Sequence, residues 1–446
     1  MSVLMRSISG IRGIVGDSLT VDTLVSHVRA FLQVTRARRI VLGRDSRPTG
    51  SAICEVVSGV CRMAGVSVTD LGLATTPTVE LMVAQCHADG GIIITASHNP
   101  IEWNALKFLN NKGMFLGPME VKELFALADQ GGFSWPNWEQ MGSLEKRADG
   151  DQLHIDALLR LSVVDVQAIS KAHFKVAVDA VNGAGSKVVP ALLRQLGCEV
   201  VELHCEPNGL FPRGAEPLPE NLKILGDAVR QQGCAVGFAL DPDADRCALV
   251  DSHGRAVGEE YTLAIASDTV LDRLNGPIAI NLSSSRMNED VAERHGQQCF
   301  RASVGEINVS LEMIAKGCVM GGEGNGGTIL PALHYGRDSL VACALILDWM
   351  ARSGKRVEDW VVEHPAYAMP KKKFRLGAKS VTEVLAQVAS HFPDWRQDTR
   401  DGLWLGKGKT WLHVRASNTE PVIRVIAEAP TASEAEGLCA QVEAFL

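Results

Sequence analysis

A chain of 446 residues, 46% hydrophobic and 22% charged, has the composition of an ordinary globular protein. It is too long for one core, since single cores rarely grow past about 250 residues, and three or four domains are expected. A formal net charge of −8 argues against a nucleic-acid surface, which needs a basic face, but not against a small anionic substrate met by local arginines.

The first predicted strand–helix–strand unit runs from Arg39-Ile40-Val41-Leu42-Gly43, through a helix near residues 51–64, to Gly65-Val66-Ser67-Val68. A short apolar strand, Gly91-Ile92-Ile93-Ile94, then closes in the polar loop Thr95-Ala96-Ser97-His98-Asn99-Pro100, where Pro100 stops a helix from starting. Such loops are where open α/β sheets place their chemistry. The Trp-, Pro- and Gly-interrupted stretch from Gly131-Gly132 to about Gly150 reads as the end of a domain. A second unit runs from Val176-Ala177-Val178-Asp179, through residues 186–196, to Gly197-Cys198-Glu199-Val200-Val201. Another apolar strand, Val236-Gly237-Phe238-Ala239-Leu240, leads into Asp241-Pro242-Asp243-Ala244-Asp245-Arg246. Beyond the turn Ser252-His253-Gly254-Arg255 comes the third unit: Ile278-Ala279-Ile280-Asn281-Leu282, a helix over 288–295, Gly296 and a short strand. The segment from His364-Pro365 to Pro370-Lys371-Lys372-Lys373 reads as a linker with a solvated charge run, although its lysines could contact a phosphate. A helix over 381–392, strands over 409–414 and 422–428 and a helix over 432–445 make a small α+β domain. Strands alternating with helices of this length imply parallel β-α-β units, hence three similar α/β domains. The predicted limits are 1–150, 151–253, 254–364 and 365–446. Eleven cysteines occur without a CxxC pair or zinc spacing; Cys61, Cys198 and Cys343 sit in apolar contexts, so buried reduced thiols are expected. No apolar run approaches the ~20 residues of a membrane span and no signal-peptide core opens the sequence, so a cytoplasmic protein with no membrane partner is expected.

Three carboxylates at alternate positions, Asp241, Asp243 and Asp245, can converge on one ion, and all-oxygen ligation suits Mg²⁺. An EF-hand loop begins similarly, but it needs Gly and Glu where Arg246 and Ser252 stand. The plainer alternative, a solvated acidic turn, leaves three like charges repelling at the end of a buried strand. Ser97 alone reads equally as a turn or cap hydroxyl, and Lys107 is ambiguous alone; no G-x-S-x-G elbow surrounds the serine. A serine, three hard ligands and the permanent cation Arg246 together suggest metal-assisted phosphoryl transfer. Gly322-Glu323-Gly324-Asn325-Gly326-Gly327 matches dinucleotide-loop spacing, yet Thr328-Ile329-Leu330-Pro331 is extended where that fingerprint needs a helix. Glu323 and Asn325 suit sugar hydroxyls instead. With no Walker A sequence, ATP is disfavoured as donor. Arg415-Ala416-Ser417-Asn418-Thr419-Glu420-Pro421 offers a phosphate cradle, or is a polar hairpin turn; Arg424 adds a second cation.

TASHNP, DPDADR, GEGNGG and RASNTEP, in this order and spacing, resemble the α-D-phosphohexomutase superfamily, which includes phosphoglucomutase/phosphomannomutase and phosphoglucosamine mutase. The resemblance covers essentially the whole chain. It implies three similar α/β domains with mixed or parallel sheets around a central cleft, plus a C-terminal, TATA-binding-protein-like α+β domain. It implies phosphorylation of Ser97 and one Mg²⁺ held by Asp241, Asp243, Asp245 and an oxygen of the Ser97 phosphate. Arg246 would neutralise the transferring group, and Lys107, with His98 nearby, would be the general base or acid. Arg12 in Ser9-Gly10-Ile11-Arg12-Gly13 resembles the family's N-terminal active-site arginine. Glu323 and Asn325 would bind sugar hydroxyls; Arg415, Ser417, Asn418 and Thr419 would hold the phosphate not being transferred. The implied reaction interconverts hexose 1- and 6-phosphates through a hexose 1,6-bisphosphate, with phosphoglucosamine ahead of mannose and glucose phosphates, in a monomer or homodimer. The departures concern the sugar: many members carry Ser and His where Asn325 and Gly327 stand, and some carry His near Gly305-Glu306. Asn104-Ala105-Leu106-Lys107 replaces a common Asn-Gly-x-Lys but keeps the lysine. A phosphoserine-using sugar phosphatase and a silent sugar-phosphate-binding protein are the readings from other classes.

Overall fold

The computed structural model describes residues 3–376, 379–416 and 422–446. All three predicted units are present, each with its two strands parallel: Arg39–Arg44 with Ser67–Leu73, Lys175–Asp179 with Glu199–Leu203, and Ile278–Asn281 with Cys299–Ala302. The linking helices are Gly50–Met63, Gly185–Gln195 and Met287–Arg294. The strands Gly90–Ile94 and Val236–Leu240 are buried at every residue. Helices cover both faces of such sheets, which is why these strands read as unbroken apolar runs.

The first sheet has seven strands and is mixed. Its antiparallel part brings Gly10–Ile14 beside Trp103–Asn110, with Gly10 opposite Lys107. A Cβ on Gly10 would lie 2.0 Å from the Leu106 carbonyl oxygen, so only glycine allows this approach. The interrupted stretch 131–150 is more than a domain end: Leu144–Lys146 pairs with Ser67–Leu73 as the last strand of the sheet. The second and third sheets have four strands each, parallel except for one antiparallel edge strand, Cys247–Val250 and Gly327–Ile329 respectively. The two sheets share one core, reaching from Ile155 to Trp360, through the nearly submerged helices Glu259–Leu271 and Ser339–Ser353.

The fourth sheet is antiparallel and five-stranded. Lys371–Arg375, read from sequence as a solvated linker, is one of its edge strands. The charge run misled because lysine is also the residue that edge strands tolerate. Side chains alternate across this sheet. Leu412, Val414, Ile423 and Val425 face the helices Val381–His391 and Ala432–Glu443, which leaves Arg415 and Arg424 on the other face. All eleven cysteines are free thiols, nine of them buried. Among the described residues, no helix is long and apolar enough to cross a membrane.

Candidate active site

Loops from all four sheets meet at one cavity of about 390 Å³, within the roughly 300–1,000 Å³ of small-molecule sites. Ser97, His98, Lys107 and Arg12 reach it from the first sheet and Arg246 from the second. Glu323 and Asn325 reach it from the third, Arg415 and Arg424 from the fourth. Ser417, Asn418 and Thr419 lie outside the described residues.

Ser97 sits in the left-handed region at φ 48°, a conformation that disfavours non-glycine residues by roughly 1–2 kcal/mol. Its amide donates to Thr95 Oγ1 at 3.0 Å, and Thr95 donates to Asp45 at 2.6 Å. Arg12 donates to Asn99 Oδ1 at 2.5 Å. The side chain of Ser97 is thereby aimed across the cleft, where its Oγ donates to Asp241 Oδ2 at 2.9 Å.

Asp241, Asp243 and Asp245 are fully buried, and one oxygen of each lies within 4.8 Å of the others. Asp243 takes hydrogen bonds from Lys107 and Thr76, both at 2.7 Å. Arg337 donates to Asp245 at 2.5 Å. After these contacts, Asp243 Oδ1 and Asp245 Oδ1 remain buried without a hydrogen-bond partner, the latter 3.7 Å from Arg246 Nε. Unpartnered buried carboxylate oxygens cost too much to leave as they are. The all-oxygen donor set therefore fits a small, hard divalent cation. Burial, with Asp245 and Asp243 alongside, pushes Asp241 well above the usual carboxylate range. Burial alone would raise Asp243 too, but Lys107 and Thr76 hold it low. Lys107 shows the reverse balance: burial lowers it, yet Asp243 and Asp245 prevail and raise it, so it is an ammonium.

The rest of the cavity mixes cations, Arg12, Arg246, Arg337, Lys371, Arg415 and Arg424, with the carboxylates of Glu216, Glu260, Glu306 and Glu323. Arg246, burial and Arg12 push His98 down to about 2, so its ring is neutral, with Nδ1 3.3 Å from Ser97 Oγ. Arg246 itself meets Glu216 at 3.2 Å. In the fourth sheet, Arg415 stands directly opposite Arg424, which in turn stands opposite Lys373. Like charges in direct cross-strand register are destabilising unless an anion sits between them. Asp401 meets Arg415 at 3.0 Å.

The third sheet's loop is a hairpin between Met320–Glu323 and Gly327–Ile329, without the helix a dinucleotide loop requires. Glu323 accepts from Asn281 (2.8 Å), the Gly305 amide (3.0 Å) and Arg337 (2.8 Å). Burial would raise this carboxyl, but Arg337 and these donors keep it below the usual range. Asn325 Oδ1 accepts from the Gly327 amide at 3.3 Å. Sequence reasoning missed Arg337, which bridges Glu306, Glu323 and Asp245. The available signal was a charged pair, Arg337-Asp338, immediately before the apolar helix Ser339–Ser353 that Asp338 caps. Lys371, which the sequence favours as a solvated linker charge while allowing a phosphate contact, also lines the cavity, its Nζ 3.4 Å from Glu260.

Models of the phosphoglucomutase/phosphomannomutase family match this chain four times: α/β/α domain I over 5–134, domain II over 152–254, domain III over 258–367 and the C-terminal domain over 372–445. The chain belongs to that family. It is a phosphohexomutase, an isomerase that moves phosphate within its substrate. The phosphoglucomutase/phosphomannomutase of Thermococcus kodakarensis is 35% identical over 438 residues, covering 96% of this chain and 94% of that protein. A protein of Methanopyrus kandleri named "Probable phosphoglucosamine mutase" is 33% identical over 435 residues, covering 96% and 95%. In fold, the phosphohexomutase resembles a phosphoglucomutase/phosphomannomutase family protein from Burkholderia thailandensis, with TM-score 0.85, 24% identity and coverage of 99% and 98%.

Proposed function

We propose that this phosphohexomutase works through a phosphorylated Ser97, with Mg²⁺ held by Asp241, Asp243, Asp245 and an oxygen of the Ser97 phosphate, and that it prefers glucosamine phosphate. The observation that carries this reading is the 2.9 Å hydrogen bond from Ser97 Oγ to Asp241, beside unpartnered oxygens of Asp243 and Asp245. A serine hydroxyl is a poor nucleophile by itself, and Mg²⁺ bound here would stabilise charge on its oxygen and on the phosphoryl group. Arg246 neutralises the transferring group, since phosphoryl transfer depends mainly on positioning and charge. Lys107, as an ammonium, serves as proton donor in this arrangement, and neutral His98 keeps a ring nitrogen beside Ser97 Oγ.

The first transfer breaks the Ser97 Oγ–P bond and joins phosphorus to a sugar hydroxyl oxygen, the hydroxyl's proton ending on the departing Oγ, which gives a hexose 1,6-bisphosphate. The second breaks the O–P bond at the other end of the sugar and returns that phosphate to Ser97 Oγ, whose proton ends on the sugar oxygen. Between them the sugar must turn over, so Arg415, Arg424, Ser417, Asn418 and Thr419 grip either phosphate, and Glu323 and Asn325 hold hydroxyls in either orientation. The four domains carrying these groups run over 1–150, 151–253, 254–364 and 365–446. Relatives such as the Methanopyrus protein support glucosamine phosphate. The Thermococcus relative, more similar at 35%, supports a second reading in which mannose and glucose phosphates are used.

Isomerisation of glucosamine 6-phosphate, mannose 1-phosphate and glucose 1-phosphate, with Mg²⁺ and a trace of the matching 1,6-bisphosphate, tests the proposal. The highest kcat/KM is expected for glucosamine phosphate. A higher value for mannose or glucose phosphate replaces the sugar. Turnover without phosphate on Ser97 overturns the mechanism.

A further inference from the structure

The loops that carry Ser97, Asp241 and Asn281 share one device. Each leaves a strand end, where backbone carbonyls can take donors from outside the sheet. In each, one largely buried arginine donates to carbonyls at or beside the strand end, several within the loop for Arg47 and Arg301 but only that of Leu240, next to the acidic loop, for Arg213, and one carboxylate balances its charge. Arg47 donates to the carbonyls of Ser97 and Asn99 (2.6 Å each), Pro100 (2.5 Å) and Trp103 (3.1 Å), and its Nε to Asp45 at 3.1 Å. Arg213 donates to the carbonyl of Leu240, which immediately precedes Asp241, and to those of Gly214 (3.3 Å) and Asp179 (3.4 Å), with the Asp179 carboxylate at 3.1 Å. Arg301 donates to the carbonyls of Ser284 (3.0 Å), Leu282 (3.3 Å) and Asn281 (3.4 Å), and Glu289 grips it through both oxygens at 2.9 and 3.1 Å.

These arginines do not occupy equivalent positions. Arg47 follows the first strand of its unit, Arg213 lies beyond the second strand, and Arg301 is inside the second strand. The device recurs although its source moves, so the loops require it and the repeat does not merely carry it along. Arginine suits the task because its planar guanidinium offers five donors, against three from one point on lysine.

We propose that Arg47, Arg213 and Arg301 are positioning residues, each setting one loop independently: that of the serine, that of the acidic cluster, and the turn after Asn281, whose side chain donates to Glu323 at 2.8 Å. The proposal rests on the roles proposed above for Ser97, the three aspartates and Glu323. Arg47→Lys, Arg213→Lys and Arg301→Lys keep the charge and remove the fork. Arg47→Lys is expected to slow phosphorylation of Ser97 by glucose 1,6-bisphosphate about 10²-fold, as misplacement by ~1 Å does, with Mg²⁺ affinity retained. Arg213→Lys should weaken Mg²⁺ binding by calorimetry about tenfold and regain activity at high Mg²⁺. Arg301→Lys should raise KM about tenfold, roughly 1.4 kcal/mol of binding, with kcat retained. Hydrogen exchange over 95–103, 241–246 and 281–285 gives a readout free of activity, and only the clamped loop should lose protection. Equal loss of protection at all three loops in every variant, or a uniform fall in activity following thermal stability, overturns the proposal. If Arg47→Lys does not fold, Asp45→Asn, which keeps the fork and removes its counter-charge, should loosen 95–103 selectively; unchanged exchange there also overturns it. A wild-type enzyme without mutase activity would defeat the functional assignment, while the exchange maps would still decide the clamps.

Discussion

Ser97 lies at φ 48° because the loop around it is held at many points, and its oxygen is aimed at Asp241 as a consequence. Replacing Ser97 with Ala removes the only proposed covalent acceptor and leaves Arg415 and Arg424, proposed to hold phosphate, intact. Turnover should fall below detection, while calorimetry should still show sugar-phosphate binding; retained mutase activity would exclude Ser97 as acceptor. The acidic cluster makes a separate demand. Asp243→Asn removes one negative charge where two buried oxygens lack partners, so Mg²⁺ affinity should drop by about tenfold or more. Unchanged affinity in a calorimetric titration would remove Asp243 from the metal site. Chelation of divalent ions should likewise stop the wild-type enzyme, and added Mg²⁺ should restore it.

At the scale of elements, the turn after Lys175–Asp179 packs directly against the acidic loop. A Cβ on Gly183 would meet the Pro242 carbonyl oxygen at 2.5 Å, and the Ala184 amide donates to that same oxygen at 2.7 Å. Gly183→Ala must therefore push one backbone segment away from the other. A stability loss of ~1–3 kcal/mol is expected for overpacking of this kind, with weaker Mg²⁺ binding because the displaced loop carries Asp241 and Asp243. Chemical denaturation and a Mg²⁺ titration on the same variant check both halves, and a stable variant with native affinity would show that the contact relaxes freely. The fourth sheet shows the same dependence on local register. Its alternation sends Leu412 and Val414 to the helices and Arg415 to the cleft.

Across the whole molecule, the fourth sheet docks on the third through an apolar cluster of Leu282, Trp404 and Trp411 and through buried polar groups. Glu428 accepts from Ser285 Oγ, the Arg286 amide and Trp411 Nε1. Arg301 lies over the rings of Trp404 and Trp411 at 5.3 and 5.5 Å, a cation–π contact that links the strand Cys299–Ala302 to the terminal domain. His413 bridges Ser283 Oγ at 2.8 Å and the Asp401 carbonyl at 2.7 Å. Burial pushes this imidazole down to about 4, whereas in the unfolded chain it titrates near ~6.5. Between those values the unfolded state binds the extra proton, so stability falls as pH falls, by ~2 kcal/mol at pH 5 for this group. Glu260, pushed up to about 7 by burial, changes stability in the opposite sense. Comparing wild type with His413→Gln isolates the histidine: urea midpoints measured from pH 7 to pH 5 should fall more steeply for wild type. Parallel curves would show that His413 stays unprotonated in both states or in neither.

The strand–helix periodicity and the apolar runs closed by polar loops were enough to predict the parallel units and the loops bearing Ser97 and Asp241, because helix-covered strands are apolar on both faces. The motifs were legible because reactive groups cluster locally: three aspartates at alternate positions need no distant partner to be seen. What only the tertiary structure decided is how residues far apart share a charge. Arg337 bridges acids from the second and third sheets, Thr76 reaches Asp243 from the first, and Lys371 faces the cleft from a strand that reads as a linker. A buried ion pair is a property of two segments brought together, and neither segment carries a periodicity that announces the other.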